Sequence, residues 1–276
     1  MEATQNNLYA LILGASSGFG AATSIALASR GYNIVGVHLD RSSTLPEAER
    51  IRQEIESHGV DAHFFNVNAA DAQKRAEVLE QLKEIFDLKK GSTIKVLLHS
   101  LAFGTLRPLI PVTGQKAVTQ SQLEMTLDVM ANSFVYWTQD IVAQGMMSSG
   151  GRIFALTSSG SRRVLPNYGP VSAAKSALES YCRQLAFELG SQRISVNAIE
   201  AGVTDTPALR KIPGNELIIH DARKRNPNKR LTRPNDVAEL IGVMSSSTTG
   251  WINGTTIRVD GGESIVELDW REEESA

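Results

Sequence analysis

The sequence predicts an α/β fold: one Rossmann-type, doubly wound domain over residues 1–276, with a mainly parallel seven-stranded sheet and helices on both faces. Three observations predict it. Apolar runs of strand length alternate with longer helical patterns along the whole chain, and that alternation requires right-handed crossovers between parallel strands. Runs such as Leu8–Leu13 (LYALIL) and Ile94–His99 (IKVLLH) are apolar almost throughout, as strands covered on both sides are. Glycines at 14, 18 and 20 fall between the first strand and the first helix, where a dinucleotide-binding turn belongs.

The elements follow in order. Leu8–Leu13 is the first strand, and Ser17 to Arg30 the first helix, with Gly31 as its C-terminal stop. Asn33–Leu39 is a second strand. Pro46–His58 is a charged amphipathic helix stopped at Gly59, then Val60–Val67 is a third strand and Asp71–Phe86 a third helix. Ile94–His99 is the fourth strand. An irregular, proline-bearing stretch from Phe103 to Gln120 precedes one long helix over Ser121–Met147. Gly151–Thr157 is the fifth strand, Pro170–Leu189 a helix, Ile194–Ile199 the sixth strand, Asp236–Ser245 a late helix and Thr255–Val259 the seventh strand. Ligands of such sheets bind at the carboxyl ends of the strands, and the motifs below fall there.

Composition excludes several classes. A net charge of −2 gives no global field for nucleic acid or an anionic membrane. Cys182, the single cysteine, rules out an intramolecular disulfide and reads as a small core residue. No run approaches the length of a membrane span and no leader pattern opens the chain, so a cytoplasmic location is expected. The five histidines lack metal-ligand spacing, and no metal is expected. The acidic end, Glu267 to Ala276, is expected to fray or to dock on a neighbour.

The glycine loop is GASSGFG. Gly14 permits the tight turn, Gly18 a close approach to a pyrophosphate, and Gly20 close helix–sheet packing; Ser16 and Ser17 add hydroxyl donors, with Phe19 between the last two glycines. The end of the second strand is where an adenosine ribose is read: an acid suits a free 2′-hydroxyl and a base a 2′-phosphate. His38, Leu39, Asp40 and Arg41 stand there, acid beside base. Arg41 is the expected phosphate partner, so NADPH is the expected cofactor with NADH possible; the competing reading is an Asp40–Arg41 pair in a solvated loop. Asn66 and Val67, ending the third strand, are expected at the adenine.

Tyr168 and Lys175 lie seven residues apart in LPNYGPVSAAK, and Ser158 ten before the tyrosine. With the GxxxGxG loop they resemble the short-chain dehydrogenase/reductase family, over roughly Leu8 to Val266. The usual pair of that family is Tyr-x3-Lys. Here the position four before Lys175 is Val171, which has no proton to donate, and the chain has Tyr-x6-Lys instead. That spacing is similar to the enoyl-acyl-carrier-protein reductase branch. So are LLHSLAFG (Leu97–Gly104), in place of an Asn-Asn-Ala-Gly segment, and Ala-Gly in VNAIEAGVTDT (Val196–Thr206). Met130 replaces the usual helix asparagine. LRPLIP and VTDTPALRKIP look most like NADPH-dependent members that keep a serine at the position of Ser158.

The resemblance implies reduction of the α,β double bond of an enoyl thioester carried on acyl carrier protein or coenzyme A. Hydride goes to the β-carbon and negative charge develops on the thioester oxygen, several bonds away, so the oxyanion donor must stand back from the hydride. Seven residues are about two helical turns, which leaves Tyr168 and Lys175 facing one cavity. The implied roles are enolate stabilisation by Tyr168, binding of the nicotinamide ribose by Lys175, and a second substrate hydrogen bond from Ser158. Leu101 packs on the cofactor, and Val203, Thr204 and Thr206 hold its nicotinamide amide and phosphates. Gly104 offers backbone N–H, and Phe103 and Leu209 line an acyl channel with Leu106, Leu109, Ile110, Ile212, Leu217 and Ile218, unless these are local core.

Pro207 to Arg230, within a lid expected at about 205–230, carries Arg223, Lys224, Arg225, Lys229 and Arg230. They read as a solvated helix end or as a docking patch for an acidic carrier protein. A homotetramer packed through the long helices is also implied; Tyr136, Trp137 and Tyr181 on those helices read equally as core. His99 reads as hydrogen-bonded structure. Two rivals stay open: a short-chain reductase of a carbonyl such as a 3-ketoacyl thioester, and an NADP-binding sensor without turnover.

Overall fold

The computed structural model describes residues 7–267; most of the acidic C-terminal stretch lies outside them. Seven parallel strands form one sheet in the order β3-β2-β1-β4-β5-β6-β7. They are β1 (Leu8–Leu13), β2 (Asn33–His38), β3 (Ala62–Asn66), β4 (Thr93–His99), β5 (Arg152–Ser158), β6 (Ser195–Ala201) and β7 (Thr256–Val259). The order reverses between β1 and β4, and the cleft opens at that switch point. Side chains alternate across the pleat. Tyr9, Leu11 and Leu13 enter one core, with Phe134, Trp137 and Leu178. Ala10 and Ile12 enter the other, with Leu27, Ile51 and Ile241. Both faces of the sheet are therefore covered.

The helices are α1 (Gly18–Ala28), α2 (Leu45–Glu56), α3 (Ala72–Leu88), α4 (Gln120–Leu127), α5 (Ser133–Ala143), α6 (Gly169–Leu189), α7 (Asn215–Arg225) and α8 (Pro234–Met244). One expectation needs correction. The helix foreseen over Ser121–Met147 is two α-helices joined by a π-helical turn at Asp128–Asn132, and it ends at Ala143. Gly145, at φ 66°, turns the chain, and Met146 and Met147 drop into the core. A capping box at Thr119 and Gln122 starts α4. Of the aromatic residues on the long helices, Trp137 is core, its Nε1 donating to Ala69 O at 2.8 Å. Tyr136 and Tyr181 are half-buried, and the Tyr181 hydroxyl donates to Asn132 Oδ1 at 3.0 Å. Cys182 is buried. Among the described residues no helix is long and apolar enough to cross a membrane.

Candidate active site

The glycine loop is pinned to β2 by the N–H groups of Gly14 and Ala15, both donating to Val37 O. A side chain at Gly20 would place its Cβ 2.0 Å from Gly14 O, so α1 starts directly against the loop and only glycine fits. Gly18 has φ 54°, and a Cβ there would face Thr206 at 3.5 Å. The side chain of Ser17 does not cap α1, so the first-turn N–H groups are left for another acceptor. Between this helix start and the chain after β6 lies a cavity of about 310 Å³. Ser17, Gly18 and Phe19 line one side, and Val203, Thr204 and Thr206 the other.

At the far end of β2, in an extended segment, His38 and Asp40 share a side. His38 Nδ1 lies 2.8 Å from Asp40 Oδ2, both side chains being largely buried. Asn66 clasps the Asp40 peptide twice, accepting from its N–H at 2.8 Å and donating to its carbonyl at 3.0 Å. Burial opposes ionisation of Asp40, but hydrogen bonding from Ser16, Thr44 and His38 outweighs it and holds the carboxyl below its usual range. The Asp40–Arg41 pair is therefore not formed. Arg41 is exposed and has no ion-pair partner among the described residues.

Tyr168 is the N-cap of α6, with Pro170 in the first turn. Asn167 before it is left-handed at φ 63°, a conformation asparagine tolerates. This turn sends the phenol ring against Gly160, where a Cβ would meet Tyr168 Cε1 at 2.5 Å and Ser158 Oγ at 3.2 Å. Burial pushes the phenol's pKa up, and Ser158 is near enough to draw it partly back. The Ser158 hydroxyl is itself buried, in hydrogen-bond geometry with no group of the protein. Lys175 is buried two turns along α6 and donates to Leu156 O at 2.6 Å and Leu101 O at 3.5 Å. Burial lowers its pKa to about 8, against a smaller opposing pull from Glu179. Val171, one turn before it, is buried and lines the same cavity.

A family profile described as "Enoyl-(Acyl carrier protein) reductase" matches residues 14–264. The chain belongs to the short-chain dehydrogenase/reductase family. It is an oxidoreductase of that family. The reductase is 33% identical over 192 residues to an NADH-dependent enoyl-acyl-carrier-protein reductase of Nostoc, covering 68% of this chain and 72% of that one. It is 26% identical to a probable tetrahydroxynaphthalene reductase of Zymoseptoria tritici, over 91% of this chain and 92% of the other. An enoyl-acyl-carrier-protein reductase of Anaplasma phagocytophilum, solved with NAD, superposes at a TM-score of 0.79 with 22% identity, over 97% of this chain and 96% of that one.

Relatives of the reductase bind NAD(P)H, and three features here fit that cofactor. They are the glycine cradle that a Cβ would fill, the uncapped start of α1, and the unpartnered Ser158 hydroxyl. Ser17, Gly18, Phe19, Leu101, Lys175, Thr204 and Thr206 would hold it; when bound, it supplies the hydride. Gly14, Ser16, Gly20, Arg41, Asn66 and Val67 do not line the cavity itself. Val203 lines it, but its N–H donates at 3.0 Å to Oε2 of buried Glu263. Glu263 lies 60 residues away in sequence, and no local motif announces it.

The substrate wall divides the expected channel residues. Phe103, Gly104, Leu106, Leu209, Ile212 and Ile218 line the cavity; Leu109, Ile110 and Leu217 do not and are exposed. A Cβ at Gly104 would lie within 3 Å of Met130, Thr126 and Val171, so its backbone sits hard against the floor. Lys211, which sequence reasoning passed over, also lines the cavity. Arg225 and Arg230, two of the five cations of the basic stretch, are held in ion pairs. Arg225 pairs with Asp221 at 2.9 Å, and Arg230 with Asp236 at 2.6 Å. Lys229 donates to Lys224 O. No three His, Cys, Asp or Glu among the described residues converge as metal ligands.

His99 is fully buried at the end of β4, its Nε2 2.9 Å from Ser133 Oγ. Ser133 Oγ donates to Val129 O, so Nε2 carries the proton and the imidazole is neutral. Burial, then the charge of Lys175, lowers its pKa to about 3. An unfolded chain takes up that proton near pH 6.5 and the folded one does not. Stability from this site is thus complete above pH 6.5 and falls as pH drops toward 3. By pH 4.5 the loss is ~3 kcal/mol, a shift of several degrees. A melting-temperature series against pH checks this: His99→Asn should flatten the wild-type decline, and equal slopes would refute it.

Proposed function

We propose that the reductase transfers hydride from NADPH to the β-carbon of an enoyl thioester on acyl carrier protein or coenzyme A. The observation that carries this reading is the pairing of Tyr168 with Val171 around buried Lys175. One turn before the lysine, where a carbonyl acid would stand, the wall is apolar. The phenol enters a further turn back, against Gly160 and Ser158. It suits an oxygen conjugated to the carbon under attack, not one bonded to it. Tyr168 donates to the thioester oxygen as charge develops there. Ser158, whose hydroxyl lacks a protein partner, supplies a second bond. The Lys175 ammonium favours the negative charge and holds the nicotinamide ribose. Phe103, Leu106 and Leu209 receive the acyl chain beneath a lid over about 205–230, which includes α7.

The experiment compares oxidation of NADPH with crotonyl and with acetoacetyl thioesters. The crotonyl substrate should be favoured at least tenfold in kcat/KM. A preference for acetoacetyl makes the protein a carbonyl reductase, and no oxidation with either leaves a nucleotide-binding sensor.

For the cofactor, unpaired Arg41 beside an Asp40 already engaged by His38 supports NADPH. Arg41→Ala should raise KM for NADPH about tenfold and leave that for NADH within twofold. Equal effects on both would remove Arg41 from phosphate recognition. For an acidic carrier, Lys211, Arg223 and Lys224 support a docking surface, standing outside the ion pairs that hold Arg225 and Arg230.

A further inference from the structure

The turn after β7 is built from Asp260 to Ser264. Gly261 and Gly262, left-handed at φ 61° and 88°, reverse the chain there. Inside the turn the Asp260 carboxylate accepts from the N–H groups of Gly262 at 2.9 Å and Ser264 at 3.0 Å. Two other segments hold the turn from outside. At the end of α7, Asn226 Nδ2 donates to Asp260 O at 2.9 Å and Arg225 Nη1 to Glu263 O at 3.4 Å. After β5, Arg163 Nη2 donates to Ser264 O at 3.2 Å. The turn is therefore fixed by protein alone. Its Glu263 side chain is 4% exposed and reaches the chain after β6, where Oε2 accepts from Val203 N–H at 3.0 Å. Arg225 Nη2 stands 3.9 Å from the other oxygen.

Burying a carboxylate is unfavourable. Burial raises the Glu263 pKa, the Val203 N–H and the charges of Arg225 and Arg163 pull it back, and Asp260 adds to the rise. The bond made in return is charge-assisted, roughly twice as strong as a neutral one, and it falls on the peptide that leads into the cofactor wall. Val203 is held from its other side too, since Thr232 N–H donates to its carbonyl at 3.1 Å. Thr204 follows, buried and lining the cavity. Its hydroxyl donates to Gly202 O at 3.0 Å, and its N–H has no acceptor among the described residues. Fixing the Val203 peptide fixes where that N–H stands, because neighbouring peptide planes are linked by only two soft dihedrals. We propose that Glu263 is a positioning residue for the cofactor, its carboxylate acting through Val203 to set Val203–Thr204 against the nicotinamide half of NAD(P)H. The role is the same whichever bond the enzyme reduces.

The test is calorimetric titration of the full chain with NADPH and, separately, with ADP, the adenosine half of the cofactor. Amide hydrogen exchange of the cofactor-free protein is the second readout. Glu263→Met keeps the length of the side chain and removes the acceptor. It should weaken NADPH at least tenfold and leave ADP within twofold. It should also speed exchange of the Val203 amide at least tenfold while the Leu11 amide in β1 stays as in wild type. Glu263→Gln keeps an oxygen for Val203 and should bind NADPH within threefold of wild type. Glu263→Asp, one methylene short of the peptide, should weaken NADPH about threefold to fivefold, and it carries the test if Glu263→Met does not fold. NADPH binding within twofold of wild type in Glu263→Met, or in Glu263→Asp where that variant stands in for it, overturns the proposal. So does an equal loss of ADP and NADPH, which marks a general loss of structure. A loss in Glu263→Gln as large as in Glu263→Met overturns it as well, since the bond to Val203 would then not be what matters.

Discussion

Tyr168→Phe should lower kcat on an enoyl thioester by about 10²–10³-fold, the loss seen when one donor to a developing oxyanion is removed. Cofactor affinity should stay within about twofold. The two readouts separate because the proposed role uses only the phenol hydroxyl, while the ring packs against Gly160, a contact that phenylalanine preserves. Gly160 leaves room for that ring, and the left-handed Asn167 sets the angle at which it enters. The raised phenol pKa keeps the group a hydrogen-bond donor across the working range. Binding measured by nicotinamide fluorescence and turnover measured with crotonyl thioester make the comparison. Unchanged turnover would take the hydroxyl out of the reaction and return the assignment to a generic short-chain oxidoreductase. A proportionate loss of cofactor binding would recast Tyr168 as part of the cofactor wall.

Ser158 offers a contrast that shows why the phenol carries the larger effect. Both residues flank Gly160, and the Ser158 hydroxyl is buried without a hydrogen-bond partner. Such a group is costly unless a ligand satisfies it. Because Ser158 also lines the cavity, its hydroxyl is free to meet a ligand there.

What was legible in the sequence was what depends on neighbours along the chain. The turn at Gly14, the entry of α1 and the stop at Gly31 are set within a few residues, and they stand as read. So does the Tyr168–Lys175 pair, because one helix fixes their separation. The end of β2 was legible only as a set of rivals. The hydrogen-bond partner of Asp40 is His38, two residues back on the same side of an extended segment, and adjacency to Arg41 pointed to the wrong pair. The π-helical turn at Asp128–Asn132 left no periodic trace, since one helical pattern runs through it. Within the basic stretch, Arg225 finds its acid one turn back on its own helix, in Asp221, but Arg230 finds its acid in Asp236 on α8, which the stretch by itself does not reveal. Glu263 on Val203 illustrates the same limit: a contact across 60 residues has no local signature.

Lys175→Met should cost activity without costing the fold. Methionine matches the length of the lysine stem and needs no proton in an apolar site. Lys175 is 6% exposed, and its folded pKa of about 8 against 10.5 unfolded means that keeping it charged in the folded state is unfavourable by ~3 kcal/mol below pH 8. Removing the charge recovers that cost. Leaving Leu156 O without its donor gives back about 1–3 kcal/mol. The melting temperature of the variant at pH 7 should thus equal or exceed that of wild type. On the proposed reading, in which Lys175 holds the ribose and lends positive charge to the enolate, KM for the cofactor should rise at least tenfold and kcat should fall by about 10²-fold. The pH dependence carries the sign. Between pH 8 and 10.5 the unfolded wild-type chain holds a proton that the folded one has lost. Wild-type stability should therefore gain from this site as pH rises through that window, and the variant should not. Activity runs the other way. The charged ammonium is the useful form, so wild-type kcat/KM should decline above about pH 8, a limb absent from the residual rate of Lys175→Met. A variant that melts several degrees lower would show the lysine to be structural; a variant with normal cofactor KM would place the ribose elsewhere.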